Sequence, residues 1–177
     1  MKILAISGSL REVSSNSLLL RILGNHTPEN WSFSLYEDLG SLPIFNPDLE
    51  DELTPEAVQS FCHEVAQADA VIISCPEYVR AIPGGLKNSI DWLVSRDEII
   101  SKPIALVHAS HRGDDMLASL RMVLATVSER FATDIFLRIP LNSMSLEQAE
   151  SELAQQENIA RMIEFLWRLE AFSQAGS

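Results

Sequence analysis

The chain has 177 residues, a length typical of one domain, and 46% of them are hydrophobic, which is enough to form a core and argues against intrinsic disorder. Its formal net charge of −12 argues against binding along a nucleic-acid backbone, because the averaged field of the protein would repel phosphates. A small anion held in a local site is not excluded by this charge.

Short apolar runs alternate with amphipathic stretches along the chain. The apolar runs predict five strands, at residues 2–7, 32–36, 69–75, 103–109 and 134–139. The amphipathic stretches predict five helices, at residues 16–24, 54–68, 83–95, 114–130 and 145–171. A loop rich in Pro and Asp, at residues 39–53, is long for a protein with this pattern of elements.

Strands that are separated by helices pair in parallel, through long right-handed crossover connections. The predicted fold is therefore an α/β three-layer sandwich with a five-stranded parallel sheet, and we expect the flavodoxin-like strand order 2-1-3-4-5. We expect residues 1–172 to form this single domain and residues 173–177 to be a polar C-terminal tail.

Two features favour a cytoplasmic protein. The opening residues, MKILAISGSL, carry one charge and a short apolar run, which suits neither a signal peptide nor a membrane span, and no later segment reaches a spanning length without charges. Cys62 and Cys75 form no CxxC motif. We therefore expect two thiols buried by packing, and a reducing compartment.

The loop after the first predicted strand, GSLREVSSNS at residues 8–17, is the first candidate site. Ligands of doubly wound sheets lie beyond the carboxyl ends of the strands. This loop offers hydroxyl groups, the amide donors of a helix start and the planar cation of Arg11, a set that suits a phosphate. It lacks the glycines and the lysine of the P-loop and GxGxxG motifs, so a terminal phosphomonoester is favoured over a pyrophosphate. An ordinary polar turn whose serines cap the helix is the alternative.

The loop after the third predicted strand carries a polar turn between Pro76 and Pro83. Its pattern PEYxxxxPGxLKNxIDW, at residues 76–92, joins GSLRxxSxN at residues 8–16. Together these motifs resemble the NADPH-dependent FMN reductase family, which includes quinone, chromate and azo-dye reductases with a flavodoxin-like fold. The predicted order of strands and helices agrees with this family.

The resemblance implies an FMN site that the two loops share. The first loop would hold the phosphate, and the turn would line the isoalloxazine ring through main-chain donors and the flat side of Tyr78. A flavin needs a flat apolar slot with a few donors at its pyrimidine edge, which a rigid turn can supply. The cofactor-binding residues so implied are Ser9, Arg11, Ser14, Asn16, Ser17, Pro76, Glu77, Tyr78, Val79, Arg80 and Ser110.

The turn departs from the family pattern, which continues PEY with Asn and a small polar residue. This chain has Val79, Arg80 and Ala81 there, so contacts from those side chains are not expected, whereas backbone contacts are. Arg80 adds a cation to this turn. It would favour the anionic reduced flavin or bind a phosphate of the pyridine nucleotide; the alternative is a solvated surface side chain with neither role.

The loop after the fourth predicted strand, ASHRGDDMLASLR, also departs from the family, which has a glycine-rich stretch here. We expect the two acids after Gly113 to cap the next helix rather than to repel a cofactor. Ser110 is expected to contact the ring. His108, His111 and Arg112 are candidates for contact with substrate or nicotinamide, and no histidine pair has the spacing of metal ligands.

The helix at residues 83–95 carries the rest of the second motif. Polar groups on helices more often satisfy neighbouring groups than take part in catalysis. We therefore expect Lys87, Asn88 and Asp91 to tie this helix to neighbouring loops. Trp92 is expected either in the core or at a subunit contact.

The resemblance implies an FMN-dependent NAD(P)H oxidoreductase. Hydride would pass from NADPH or NADH through bound FMN to a small acceptor, such as a quinone or free flavin, and no catalytic acid or base is implied. Family members usually form dimers or tetramers, so we expect a homodimer or homotetramer that has neither nucleic acid nor a membrane as partner.

Two alternatives stay open. The altered turn and the short third loop suit a flavodoxin-like regulatory or binding protein that binds FMN weakly or not at all. The acidic charge suits an electron carrier that docks to basic partners, although the first loop lacks the threonines and glycines of flavodoxin.

Overall fold

Five apolar runs form the predicted parallel sheet. The structure is a computed structural model and describes residues 1–175. The strands are β1 Lys2–Ser7, β2 Ser32–Tyr36, β3 Ala70–Ser74, β4 Ile104–His108 and β5 Phe131–Arg138. They pair in parallel in the order β2-β1-β3-β4-β5, which confirms the flavodoxin-like order.

Helices connect the strands and follow the last one. They are α1 Ser15–Gly24, α2 Glu56–Gln67, α3 Gly84–Asp91, α4 Asp97–Ile100, α5 Asp114–Val127, α6 Leu146–Leu153 and α7 Gln156–Gln174. Single helical turns at Asp38–Ser41, Pro47–Leu49 and Asp51–Leu53 occupy the long loop. Within residues 1–175, no helix combines the length and the apolar character that crossing a bilayer requires.

The predicted terminal helix is in fact two helices, separated by a break at residues 154–155. At the break the backbone of Gln155 is extended, with ψ of 138°, and Asn158 Nδ2 donates a hydrogen bond across it to the backbone oxygen of Glu152, at 2.9 Å. That oxygen lies in the last turn of α6, where carbonyl groups have no helical partner. α7 then continues to Gln174, into the predicted tail, whose residues 176–177 lie outside the described range.

Both faces of the sheet are covered, which explains why the central strands are apolar throughout. Side chains of a strand alternate between faces. On β1, Leu4 and Ile6 belong to the core that includes α2, α3 and α5, whereas Ile3 and Ala5 belong to the core that includes α1, α6 and α7. The loops that follow β1 and β3 therefore emerge from a rigid, buried base.

α3 anchors part of the long loop through Asn88 and Trp92. Asn88 accepts a hydrogen bond from the Phe45 amide at 2.8 Å and donates one to the Pro43 oxygen at 2.9 Å. Trp92 Nε1 donates to the same oxygen at 2.8 Å, and its ring packs edge-to-face on Phe45. Trp92 is fully buried, so of its two expected places the core is the one it occupies.

Lys87 and Asp91 contact each other rather than a neighbouring loop. Lys87 Nζ lies 2.5 Å from Asp91 Oδ1, one helical turn further along α3. Both side chains are partly exposed, so the pair contributes only about 0.3–0.5 kcal/mol. Of the three polar residues in this motif, Asn88 makes the predicted contact with a loop.

Both cysteines are buried and free. Burial raises the pKa of the Cys75 thiol to about 12, and it also raises the pKa of the Cys62 thiol. Because the thiolate is the reactive form, we expect no rapid reaction of the native protein with Ellman's reagent, and release of two thiols after denaturation in guanidinium. Rapid release of one thiol from the native protein would contradict this burial.

Candidate functional site

β1 and β3 end side by side, at the position where the strand order reverses. Ser7 and Ser74, the last residues of these strands, are paired in register, and the Gly8 amide donates to the Ser74 oxygen at 2.8 Å. A Cβ at Gly8 would lie 3.0 Å from Leu86 Cδ2 and 3.3 Å from Cys75 Sγ, so the close approach of the two loops depends on this glycine. Such positions are where doubly wound sheets bind ligands.

Two buried hydrogen bonds fix the start of α1 to the ends of these strands. The hydroxyl oxygens of Ser7 and Ser17 lie 2.8 Å apart, and the Ser74 hydroxyl donates to Asn16 Oδ1, also at 2.8 Å. Asn16 and Ser17, both predicted phosphate ligands, are thus engaged inside the protein. Their side chains orient the amide donors at the start of α1.

A cavity of about 440 Å³ lies beside the first loop. Three of the predicted phosphate ligands, Ser9, Arg11 and Ser17, line it. Ser14 and Asn16 are not among its lining residues, and the Ser14 hydroxyl caps α1 by accepting from the Ser17 amide. The Arg11 side chain is exposed and makes no hydrogen bond or ion pair within residues 1–175.

The same cavity is lined by four charged residues that were not predicted from the sequence, namely Glu12, Arg21, Glu37 and Asp38. Arg21 lies one helical turn beyond Ser17, a spacing from which it could have been found, and it pairs with Glu37. Glu37 and Asp38 directly follow β2, the neighbour of β1 in the sheet. With Glu12, three carboxylates oppose an anion in this cavity, and Arg21 offsets that of Glu37.

The predicted ring-lining turn is a tight two-residue reversal. Tyr78 and Ala81 exchange backbone hydrogen bonds of 3.3 and 3.0 Å. The residues between them have left-handed backbones, with φ of 54° at Val79 and 59° at Arg80, which is the type I′ geometry. Asn and Gly adopt this conformation easily and a β-branched residue does not, which explains the Asn in the family pattern. The turn is not among the residues lining the cavity beside the first loop.

Replacing Val79 by Asn is expected to raise the free energy of unfolding by about 1 kcal/mol, because it relieves left-handed strain at a residue that is 98% exposed. In thermal unfolding without cofactor, this corresponds to a midpoint about 2–4 °C higher. Val94→Asn is the matched control, since Val94 is exposed and does not have a positive φ. Equal effects of the two substitutions would show that the strain is absent.

Arg80 is paired with the third loop. Its guanidinium lies 2.5 Å from Asp115 Oδ2, and both side chains are exposed. Asp114 likewise pairs with Arg138 at 2.5 Å, and the hydrogen bond from that guanidinium holds the pKa of Asp114 below its usual range. Neither carboxylate makes a capping hydrogen bond, since the N-cap of α5 is Gly113, but both acids lie in the first turn of α5, where the helix dipole stabilises carboxylates as expected.

The third loop is held by its own hydrogen bonds. The Ser110 hydroxyl accepts from the Arg112 amide at 3.0 Å and from Asn142 Nδ2 at 2.7 Å. His111 is also bonded to Asn142, at 3.0 Å from Oδ1. His108, a candidate for substrate contact, is 1% exposed, so the structure does not offer its side chain to a substrate. Ser110 and the exposed His111 and Arg112 remain as predicted contacts.

A second, larger cavity of about 520 Å³ lies at the opposite ends of the strands, where they begin. Its cations are engaged with helix ends: Lys102 Nζ donates to the Ala66 oxygen at 3.3 Å, and Arg130 donates to the Ser173 oxygen at 3.2 Å. Cations at helix C-termini stabilise the helix dipole. These two cations are therefore engaged by the fold, and we take the cavity at the ends of β1 and β3 as the candidate site.

The fold and the site together define a flavodoxin-like α/β protein with a polar cavity at its switch point. Residues 1–135 match the family described as NADPH-dependent FMN reductase. The chain therefore belongs to the NADPH-dependent FMN reductase family.

Individual relatives agree with this assignment. The chain is 38% identical over 112 residues to a subunit of NADH:(hydroxy)cinnamate reductase from Vibrio ruber, covering 63% of this chain and 54% of the relative. It is 39% identical over 92 residues to 2-hydroxy-1,4-benzoquinone reductase from a Burkholderia species, covering 52% of this chain and 49% of the relative. The chain thus spans about half the length of these curated relatives.

A solved structure matches almost the whole chain. It is that of FerB, a flavoenzyme NAD(P)H:(acceptor) oxidoreductase from Paracoccus denitrificans. The TM-score is 0.74 at 25% identity, and the match covers 98% of this chain and 95% of that protein. The flavodoxin-like fold therefore extends beyond the residues that match the family.

Proposed function

We propose that the protein is an FMN-dependent NAD(P)H oxidoreductase that passes hydride to a small acceptor, such as a quinone or free flavin. The observation that carries the proposal is that the family match, over residues 1–135, includes both candidate loops. The names of the two curated relatives and of FerB describe reductases and a flavoenzyme, which supports the same reaction class.

The residues beside the first loop fit a phosphomonoester. Arg11 has a free guanidinium within residues 1–175, and Ser9 and Ser17 add hydroxyl groups at the wall of the same cavity. α1 has no acidic residue in its first turn, so no carboxylate of that turn competes with a phosphate for the amide donors. We propose that Arg11, Ser9 and Ser17 bind the FMN phosphate, while Ser14 and Asn16 position the helix.

We propose that the turn at residues 76–80 lines the ring. When bound there, FMN would supply the chemistry of hydride transfer between the nicotinamide and the acceptor. The protein's contribution is to hold the ring. The backbone donors of a tight turn are fixed, and Tyr78, about half exposed, offers a flat surface. We include Glu77 and Ser110 in this lining and assign no acid or base.

The absorption spectrum of the purified protein, before and after anaerobic mixing with NADPH, tests this function. We expect visible flavin bands that NADPH bleaches and that a quinone restores. A protein that binds FMN but stays oxidised in excess NADPH and NADH would contradict the proposed activity.

A second function is favoured by the acidic wall of the cavity. Glu37 and Asp38 oppose a phosphate, which suits a regulatory or binding protein with weak FMN affinity. Calorimetric titration with FMN separates the two proposals. Tight binding supports the enzyme, and failure to bind even in excess FMN supports the regulatory protein.

We further propose a homodimer or homotetramer in the cytoplasm, built from one flavodoxin-like domain at residues 1–172. Ile44, 86% exposed in the long loop, supports a subunit contact, and two buried free thiols support a reducing compartment. The net charge of −12 argues against nucleic acid as a partner, and we propose no membrane partner. Light scattering after size-exclusion chromatography tests the oligomeric state, and a monomer at working concentration would overturn it.

A further inference from the structure

His108, the last residue of β4, lies buried between two loops of the candidate site. Its Nδ1 is 3.1 Å from the backbone oxygen of Cys75, the residue before the ring-lining turn. Its Nε2 is 2.6 Å from the backbone oxygen of Arg112, in the third loop. One imidazole therefore contacts both segments that flank the proposed ring site.

Both partners of this ring are carbonyl oxygens, which only accept hydrogen bonds. Any hydrogen bond here is therefore donated by the ring. A neutral imidazole has one N–H and can donate to only one of the two oxygens at a time, whereas an imidazolium has two. The third loop closes tightly around the ring, because Gly113 has φ of +98° and a Cβ there would lie 2.9 Å from Nε2. The backbone of this loop is thus shaped to fit the imidazole.

The charges around the ring act in opposite directions. Burial, the largest effect, lowers the pKa of His108, and Arg138 of β5 lowers it further. The hydrogen bonds to Arg112 and Cys75 raise it, as does Asp114 of α5. The net direction is downward, so the neutral ring, with one donor, is the dominant form at neutral pH.

We propose that His108 is a positioning residue that holds the ring-lining turn and the third loop in one arrangement. Its ring bridges the two segments by lying between the backbone oxygens of Cys75 and Arg112 and donating its N–H to one or the other. The effect of this bridge on cofactor binding rests on the proposed function, because the bridged segments are those proposed to flank the flavin ring. The bridge itself does not depend on a bound cofactor.

Hydrogen exchange of the cofactor-free protein tests the bridge in three variants. His108→Leu has no donor, so exchange is expected to become about ten-fold faster in both segments, residues 76–83 and 110–117. The amide nitrogen of His108→Asn stands near the position of Nδ1 and should protect residues 76–83 alone. That of His108→Gln stands near the position of Nε2 and should protect residues 110–117 alone. His63→Gln, at an exposed histidine of α2, is the control.

The outcomes separate the bridge from the proposed function. Unchanged exchange in either segment of His108→Leu overturns the bridge, and equal behaviour of the Asn and Gln variants overturns the assignment of its two ends. His108→Leu is also expected to weaken FMN binding about ten-fold. His108→Asn and His108→Gln, which each keep one donor, should weaken it less. If the native protein binds no FMN, the proposed function fails, while the exchange result alone decides the bridge.

The pH dependence of stability tests whether the buried ring is neutral in the folded protein. Because the folded-state pKa of His108 is lowered, its contribution is fully present above the unfolded value of about 6.5 and is lost as pH falls through the folded value. The urea midpoint of the native sequence should therefore fall more than that of His108→Gln between about pH 7.5 and 5.5. Parallel curves would show that His108 does not titrate across folding, which overturns its role as a neutral buried donor.

Discussion

Replacing Arg11 by Ala is expected to weaken FMN binding by about 30- to 100-fold. A hydrogen bond between two charged groups contributes about 2–3 kcal/mol, and each 1.4 kcal/mol is about a factor of ten in affinity. The Arg11 side chain is exposed and has no partner within residues 1–175, so its removal leaves the protein's own contacts intact. Titration of the cofactor-free protein, followed by quenching of flavin fluorescence, measures the change.

Riboflavin, which lacks the phosphate, is the ligand control for this experiment. Arg11→Ala should leave riboflavin binding nearly unchanged, because the arginine is proposed to contact the phosphate alone. Arg11→Lys should fall between the native protein and Arg11→Ala, since lysine keeps the charge but lacks the planar fork. Arg168→Ala, at an exposed arginine of α7, is the control for losing one cation. If Arg11→Ala binds FMN as tightly as the native protein does, Arg11 is not part of the phosphate site.

Replacing Gly113 by Ala is expected to lower the free energy of unfolding by about 2–4 kcal/mol. The left-handed backbone of residue 113 costs an L side chain about 1–2 kcal/mol, and overpacking of a tight site costs about 1–3 kcal/mol more. The atom that the new Cβ meets is His108 Nε2, at 2.9 Å, in a ring held on both sides by backbone oxygens. Thermal unfolding should show a midpoint about 5–15 °C lower.

Gly84→Ala is the matched control for this substitution. Gly84 begins α3 and does not have a positive φ, and a Cβ added to it would meet no neighbouring atom within 4 Å. Since Ala is the better helix former, this variant should keep its stability or gain up to about 1 kcal/mol. Equal losses in the two variants would mean that the clash with His108 is not what makes Gly113 necessary.

The sheet could be predicted from the sequence because its signals are local. β3, with the sequence AVIIS, is buried at every position, and runs of this kind between helical stretches leave parallel pairing as the physical solution. The break between α6 and α7 could not be predicted. No Gly or Pro marks residues 154–155, and the hydrogen bond that spans the break joins the Asn158 side chain to an oxygen six residues earlier.

The site was only partly predictable because its polar contacts join distant parts of the chain. Arg80 pairs with Asp115, 35 residues later, and periodicity carries no information about such a pair. His108 looked available because it ends a strand, but its burial depends on a loop that turns back at Gly113. The site at the first loop was easier to predict because its residues are close in sequence. Ser9, Arg11 and Ser17 lie within a stretch of nine residues and line the same cavity.

The buried bonds that join Ser7 to Ser17 and Ser74 to Asn16 bear on how the cofactor enters and leaves. They are formed in the protein without a cofactor, so uptake of a phosphate should require no further ordering of the amide donors at the start of α1. A preorganised site of this kind loses little conformational entropy on association. Removal and return of the flavin should consequently be reversible without refolding of the chain.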